Sequence, residues 1–238
     1  MIRNLDEFLV GIAIGIRFRS NFAIEDNLGN IIDRILYSKN AFFTPKVFPK
    51  AYDEGTGKTL ANDKNGNSLQ ITSSNIILEI IFGEDFSLKD LATINKKFNE
   101  QIIEGAMKEL NITQINRTGY IMNYLFPGEE LAKNFIGKTI GNTLEGVNDI
   151  QLRFSKKQPE LESIAKKDIN DFYNVIFNVV KRADKKELFI SVDYQKCFDP
   201  FLETVAQLEF SNFLQKVESY NSKTFITWLN ENYGSKNE

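Results

Sequence analysis

The sequence predicts an α+β fold, an antiparallel or mixed sheet with long helices segregated on one face. Three observations carry that expectation. Val10, Ile12, Ile14, Ile16 and Phe18 alternate with Gly11, Ala13, Gly15, Arg17 and Arg19, the period of a strand with one apolar side. Leu91, Ile94, Phe98, Ile102, Ala106 and Leu110 recur at helical spacing. Strands and helices do not alternate one for one, so the repeated parallel crossovers of a doubly wound nucleotide fold are not expected.

Taken in order, Val10–Arg19 is the first strand, and its small opposite face admits close approach before two arginines turn it polar. Asn27–Gly29 supplies turn chemistry, and Ile31–Tyr37 reads as a second strand. Pro45, Pro49 and several glycines make residues 40–68 the least regular part. Asn65–Gly66 tolerates positive φ and joins a short Thr59–Asp63 arm to one long strand over Asn67–Phe82. Ser87, with Asp90 three residues on, matches a capping box and starts a long helix. Ile112–Phe126 is β-branched and aromatic, hence extended. Pro127–Gly128 ends it, Glu129–Ile136 suits a short helix, and Gly137–Gly146 reads as a connector. Val147–Ser155, Phe172–Lys181 and Leu188–Gln195 read as strands, with Pro159–Asp168 a short helix or loop. Phe201–Tyr220 and Thr224–Tyr233 close the chain as helices. A single domain over 1–238 follows, with two pseudo-duplicated βββα-like halves expected at 1–126 and 127–238.

Composition bounds the chemistry. The 238 residues contain no histidine and one cysteine, Cys197. Most routes to nucleophilic catalysis, acid–base chemistry near neutrality and soft-metal binding are therefore closed. The 29 basic and 32 acidic residues leave a formal charge of -3, so broad attraction to nucleic acid or anionic membrane is unsupported. The apolar run Val10–Ile16 is far short of the roughly 18–20 residues that span a bilayer. With no disulfide framework and no signal-like segment, a cytoplasmic protein with no membrane association is the expectation.

Motif tests exclude more than they find. Asp53–Glu54–Gly55–Thr56–Gly57–Lys58–Thr59 resembles a phosphate loop, but Tyr52 stands where that pattern needs its first glycine. Asp63, Asn65 and Asn67 open like a calcium loop, yet Ser74 stands in place of the closing bidentate glutamate. Both read as turns. Cys197 lacks a base and a second thiol, and its neighbours Phe198 and Phe201 favour a buried apolar cysteine. Asp149 and Asp193, with Glu79 more remote and Arg153 or Lys196 nearby, are the carboxylates a magnesium-dependent phosphodiesterase would need.

Period-two alternation places a set of polar side chains on one side of the strands: Arg17, Arg19, Arg117, Asn123, Gln151, Arg153 and Asp193, with Asn174 and Asn178 beside them. If the helices cover the other side, these residues line a polar groove whose arginines suit phosphate or carboxylate. Near the end, Phe225 and Trp228 are candidate anchors for an interface, or for locking the last helix onto its own domain.

The stretch Asn116–Arg117–Thr118–Gly119–Tyr120–Ile121–Met122–Asn123–Tyr124 resembles the Arg-x-Gly-x-x-Tyr-Asn region, with altered spacing, of an uncharacterised, sporadically distributed bacterial protein family of about this length. Leu188–Tyr233 is similar to its closing region, with Val192–Asp193 on a strand before a helix and then Phe225–Ile226–Thr227. Val217 precedes Glu218 where relatives carry a histidine nearby. The resemblance implies an α+β protein and supplies no activity, cofactor or substrate.

The leading expectation is a noncatalytic bacterial interaction or assembly protein without a cofactor, binding a protein partner or a second copy of itself. One alternative is a nucleic-acid-binding protein using the arginine-containing sheet face. The other is the metal-dependent phosphodiester hydrolase.

Overall fold

The computed structural model describes residues 2–39, 41–140, 149–182 and 184–233. One nine-stranded sheet, antiparallel throughout, runs in the order β2-β3-β4-β5-β1-β6-β9-β8-β7. Its strands are β1 Leu9–Phe18, β2 Lys50–Asp53, β3 Gly57–Asn62, β4 Asn67–Thr72, β5 Asn75–Ile81, β6 Ile115–Phe126, β7 Ile150–Pro159, β8 Phe172–Lys181 and β9 Leu188–Leu202. The helices are α1 Phe22–Tyr37, α2 Leu91–Lys97, α3 Glu129–Ile140, α4 Leu161–Ala165, α5 Phe210–Ser219 and α6 Ile226–Tyr233. The α2 axis continues through a π-helical stretch, Phe98–Met107, and another, Tyr220–Phe225, joins α5 to α6. The α+β fold with an antiparallel sheet is thus as the sequence predicts.

The halves are not βββα units. The chain runs β1-α1-β2-β3-β4-β5-α2, then β6-α3-β7-β8-β9-α5, with the small α4 inserted after β7. Each half opens with a central strand and a helix, follows with a meander of hairpins, and ends on a helix. The boundary therefore falls between Met107 and Ile115 rather than after Phe126, because β6 pairs with β1 as its counterpart. A strand that begins a unit and one that ends it read alike in sequence; only pairing separates them.

Three local expectations are corrected. Ile31–Tyr37 is the second half of α1, not a strand. Asn21 caps that helix by accepting from Ala23 N, and the buried Ile24, Ile31 and Ile35 fall on one helical face. Asn67–Phe82 is two strands. Thr72 Oγ1 accepts from Asn75 N, closing a tight turn at Ser73–Ser74 that β-branched neighbours conceal. Phe201 and Leu202 end β9, and Thr204–Gln207 forms a new start: Gln207 Oε1 accepts from the Glu203 and Thr204 amides. Elsewhere the Ser87 amide and hydroxyl both donate to Asp90 as expected, and β8 has the expected bounds. The connector expected after Gly137 begins later, since α3 runs to Ile140; residues 141–148 lie outside the described residues.

All helices that bury apolar side chains do so against one side of the sheet. Ile12, Ile14, Ile16 and Phe18 of β1 join Tyr120, Met122 and Tyr124 of β6 and Ile190, Val192 and Tyr194 of β9 in one continuous core. Each such side chain contributes about 1.5–3 kcal/mol when fully buried. Two buried hydroxyls tie helix to sheet: Tyr120 donates to Asn95 Oδ1 at 3.0 Å and Tyr194 to Asn221 Oδ1 at 3.1 Å. Phe225 belongs to this core and is fully buried, which removes it as an interface anchor. Its ring packs against Tyr124, Phe177 and Trp228 because the π-helical turn aims it at the sheet. Trp228 is half-buried beside Phe154 and Phe177.

Candidate functional site: the open face of the sheet

Among the described residues the other side of the sheet carries no helix, and the pairing register sets its side chains in lateral rows. One row crosses all nine strands: Tyr52, Thr59, Gln70, Ile77, Gly15, Gly119, Gln195, Asn174 and Lys157. A parallel row holds Lys50, Ser68, Glu79, Ala13, Ile121 and Asp193 among its members. On one flank Asn75, Arg17, Arg117 and Cys197 are neighbours; on the other, Gly11, Asn123, Ser191, Asn178 and Arg153.

At the middle, Gly15 and Gly119 face each other across β1 and β6. Neither glycine is demanded by the fold. A Cβ at 15 would come no nearer than 3.6 Å to Ile77, and one at 119 no nearer than 3.7 Å to Asp193 and Tyr194. Gly11 is different, since a Cβ there would meet the Ile80 carbonyl at 2.8 Å. Glycine inside a strand weakens it and marks a place where something approaches the backbone closely. The pair floors a groove of about 310 Å³, walled by Arg17, Asn75, Arg117, Asp193 and Gln195.

The charges on this face are uneven. Among the described residues its rows carry Lys50, Arg17, Arg117, Arg153 and Lys157 against Glu79 and Asp193, with Lys50 paired to Asp63 of the β3–β4 turn, although the whole chain is acidic by three. Arg17 and Arg117 are direct cross-strand neighbours, an arrangement of like charges that costs stability. No ion pair among the described residues engages Arg17, Arg117, Arg153 or Lys157. Arg117 and Asn174 each reach Gln195 Oε1 at 3.4 Å, and Gln195 Nε2 donates to Asp193. Burial raises the Asp193 carboxyl above its ordinary range, opposed by the Gln195 hydrogen bond and the positive charges of Arg117 and Arg153. Two side-chain carbonyls on this face, Asn75 Oδ1 and Asn178 Oδ1, are buried without a hydrogen-bond partner among the described residues.

The structure gathers most of the groove expected from sequence. Arg17, Arg117, Asn123, Gln151, Arg153 and Asp193 all point to the open side, as do Asn174 and Asn178. Arg19 lies one residue beyond β1 and is engaged with Gln114 through both side chain and backbone, so it stands apart. Sequence reading overlooked the role of Gly15 opposite Gly119. Each was visible as a glycine in a strand, but their pairing needs the register.

Other candidates separate. Asp149 precedes the edge strand β7, whereas Asp193 lies two strands away in a different row, so these carboxylates do not converge. Among the described residues no group of three or more His, Cys, Asp or Glu side chains forms a metal-binding cluster. Cys197 is half-buried on the open face beside Arg117 and Phe172 rather than enclosed with Phe198. Burial raises its thiol pKa, with Arg117 and Lys157 opposing, which disfavours the reactive thiolate. The phosphate-loop lookalike is the β2–β3 hairpin turn and the calcium-loop lookalike the β3–β4 turn, where Asp63 pairs with Lys50 and Tyr52. No helix of the described residues is long and apolar enough to cross a membrane. Searches of protein-family models and of curated proteins find no match to this chain.

Proposed function

We propose that this chain is a noncatalytic binding protein and that its open sheet face takes nucleic acid. The observation that carries this reading is charge segregation. An acidic chain concentrates four cations without an ion-pair partner on the one side of its sheet that no helix of the described residues covers, around a floor of paired glycines. Guanidinium groups without carboxylate partners suit phosphates, which they meet with forked hydrogen bonds. The unpaired carbonyls of Asn75 and Asn178 are acceptors, and nucleic acids offer amino and hydroxyl donors beside their phosphates. The cations spread over strands β1, β6 and β7 rather than meeting at one point, which fits an extended polyanion better than a single small anion.

Fluorescence anisotropy with short single- and double-stranded DNA and RNA, over a salt series, tests this. Binding strongest at low salt and falling log-linearly with salt is expected. No binding at the lowest salt to any of the four would refute it.

A protein partner or second copy is the other reading, and one observation favours it. β7 is a ten-residue edge strand whose outer backbone is unpaired in the sheet, and Phe154 upon it is 40% exposed beside Trp228. Light scattering over a concentration series separates this reading from the first, because nucleic-acid binding by the face needs no dimer.

A further inference from the structure

A second cavity, of about 450 Å³, opens on the helix side of the sheet and shares no residue with the groove. It lies between β7, β8, β9 and α5, walled by the rings of Tyr173, Tyr194 and Tyr220 with Val175 and Val217. Tyr194 and Tyr220 meet edge to face, their centroids 5.2 Å apart. Leu161, 82% exposed, gives the mouth an apolar rim. Aromatic walls and this volume are those of a small-molecule pocket.

Two polar atoms in it are buried without a hydrogen-bond partner among the described residues: Glu160 Oε2 and the Tyr173 hydroxyl. Glu160 is only 6% exposed. Its Oε1 pairs with Lys216, while Lys196 Nζ stands 3.9 Å from Oε2, too far for a hydrogen bond. Burial, then the nearby Glu160 charge and a contact with that carboxylate outside good hydrogen-bond geometry, raises the ionisation of the Tyr173 hydroxyl, which stays a neutral donor. Buried groups of this kind are normally satisfied, so the pair marks places for one acceptor and one donor of a guest. The charges around it are balanced: Glu160 and Glu162 stand against Lys216 and Lys196, so an ion gains little.

We propose that this cavity binds a small neutral aromatic molecule bearing an adjacent hydrogen-bond donor and acceptor, an aryl amide being the simplest example. Its N–H donates to Glu160 Oε2, its carbonyl accepts from the Tyr173 hydroxyl, and its ring lies among the three tyrosines.

The test uses benzamide, with acetophenone as the ring-matched probe lacking the donor, titrated into the full chain and followed by amide NMR shifts. Benzamide is expected to saturate at millimolar concentration and to move the signals of Tyr173, Val175, Tyr194 and Val217. Acetophenone should bind about tenfold more weakly. The variant Tyr173→Phe should weaken both probes several-fold, since each carbonyl accepts from that hydroxyl, and keep or raise the melting temperature, because the lost hydroxyl had no partner in hydrogen-bond geometry. Absent saturation, equal affinity for the two probes, shifts mapping elsewhere, or benzamide binding unaltered by Tyr173→Phe would each overturn the proposal.

Discussion

Asp193 sits between Arg117 and Arg153 on the open face, one strand from its centre. It weakens the attraction that the arginines exert on phosphate. Replacing it with Asn keeps an acceptor for Gln195 Nε2 and removes the charge. Nucleic-acid affinity should rise by up to about 1 kcal/mol, roughly fivefold, on the scale of exposed charge pairs, read by anisotropy at low salt. The same substitution alters the pH dependence of stability. A carboxyl raised by burial holds its proton more firmly folded than unfolded, so the native state binds more protons above the unfolded value near 3.8. Stability therefore falls as pH rises from there through the raised folded value. The Asn variant should lose that component of the decline, measured as melting temperature from acid to neutral pH.

Within elements, the contrast between neighbouring glycines of β1 is the sharpest check on packing. Gly11→Ala drives a methyl into the Ile80 carbonyl and should cost about 1–3 kcal/mol, whereas Gly15→Ala finds ordinary contact distances and should change stability by less than about 1 kcal/mol. Urea midpoints of the two variants decide this. The buried Tyr–Asn pairs make a second element-scale prediction. Tyr120→Phe strands Asn95 Oδ1, and Tyr194→Phe strands Asn221 Oδ1, each at a cost of about 1–3 kcal/mol in chemical denaturation.

These elements also show how far sequence carries. β1 was legible because its core side is apolar at every second position, and α2 because Ser87 and Asp90 mark its start. The helical identity of Ile31–Tyr37 was hidden because Asn27, Gly29 and Asn30 look like a turn once Asn21 is not recognised as the cap. The Ser73–Ser74 turn contains neither glycine nor proline, and its geometry rests on the Thr72 hydroxyl, a signal too local to register against flanking isoleucines. The groove residues were legible singly by alternation. Their grouping into rows, and the glycine pair at the centre, depend on strand order, which local periodicity does not encode.

For the whole molecule, the junction of β1 and β6 places two similar halves on one sheet with a continuous core beneath. Neither half has a separate interior, so far-ultraviolet and tyrosine signals should report a single coincident unfolding transition. The same junction puts the glycine pair and the Arg17–Arg117 neighbours at the centre of the uncovered face, with the Asp193 carboxylate one strand away. Removing the two arginines together, as Arg17→Gln with Arg117→Gln, should reduce the slope of log affinity against log salt by about 1.4–1.8, one phosphate contact each.

The central claim is that the paired glycines keep the middle of this face open for a nucleic acid. The most direct measurement compares wild type with the double variant Gly15→Val and Gly119→Val in anisotropy titrations at low salt, beside their melting temperatures. The account expects the variant to keep its stability within about 1 kcal/mol, since a Cβ at either position meets only ordinary contacts and valine favours strands, while affinity falls at least tenfold. A stably folded variant that binds as tightly as wild type would contradict it.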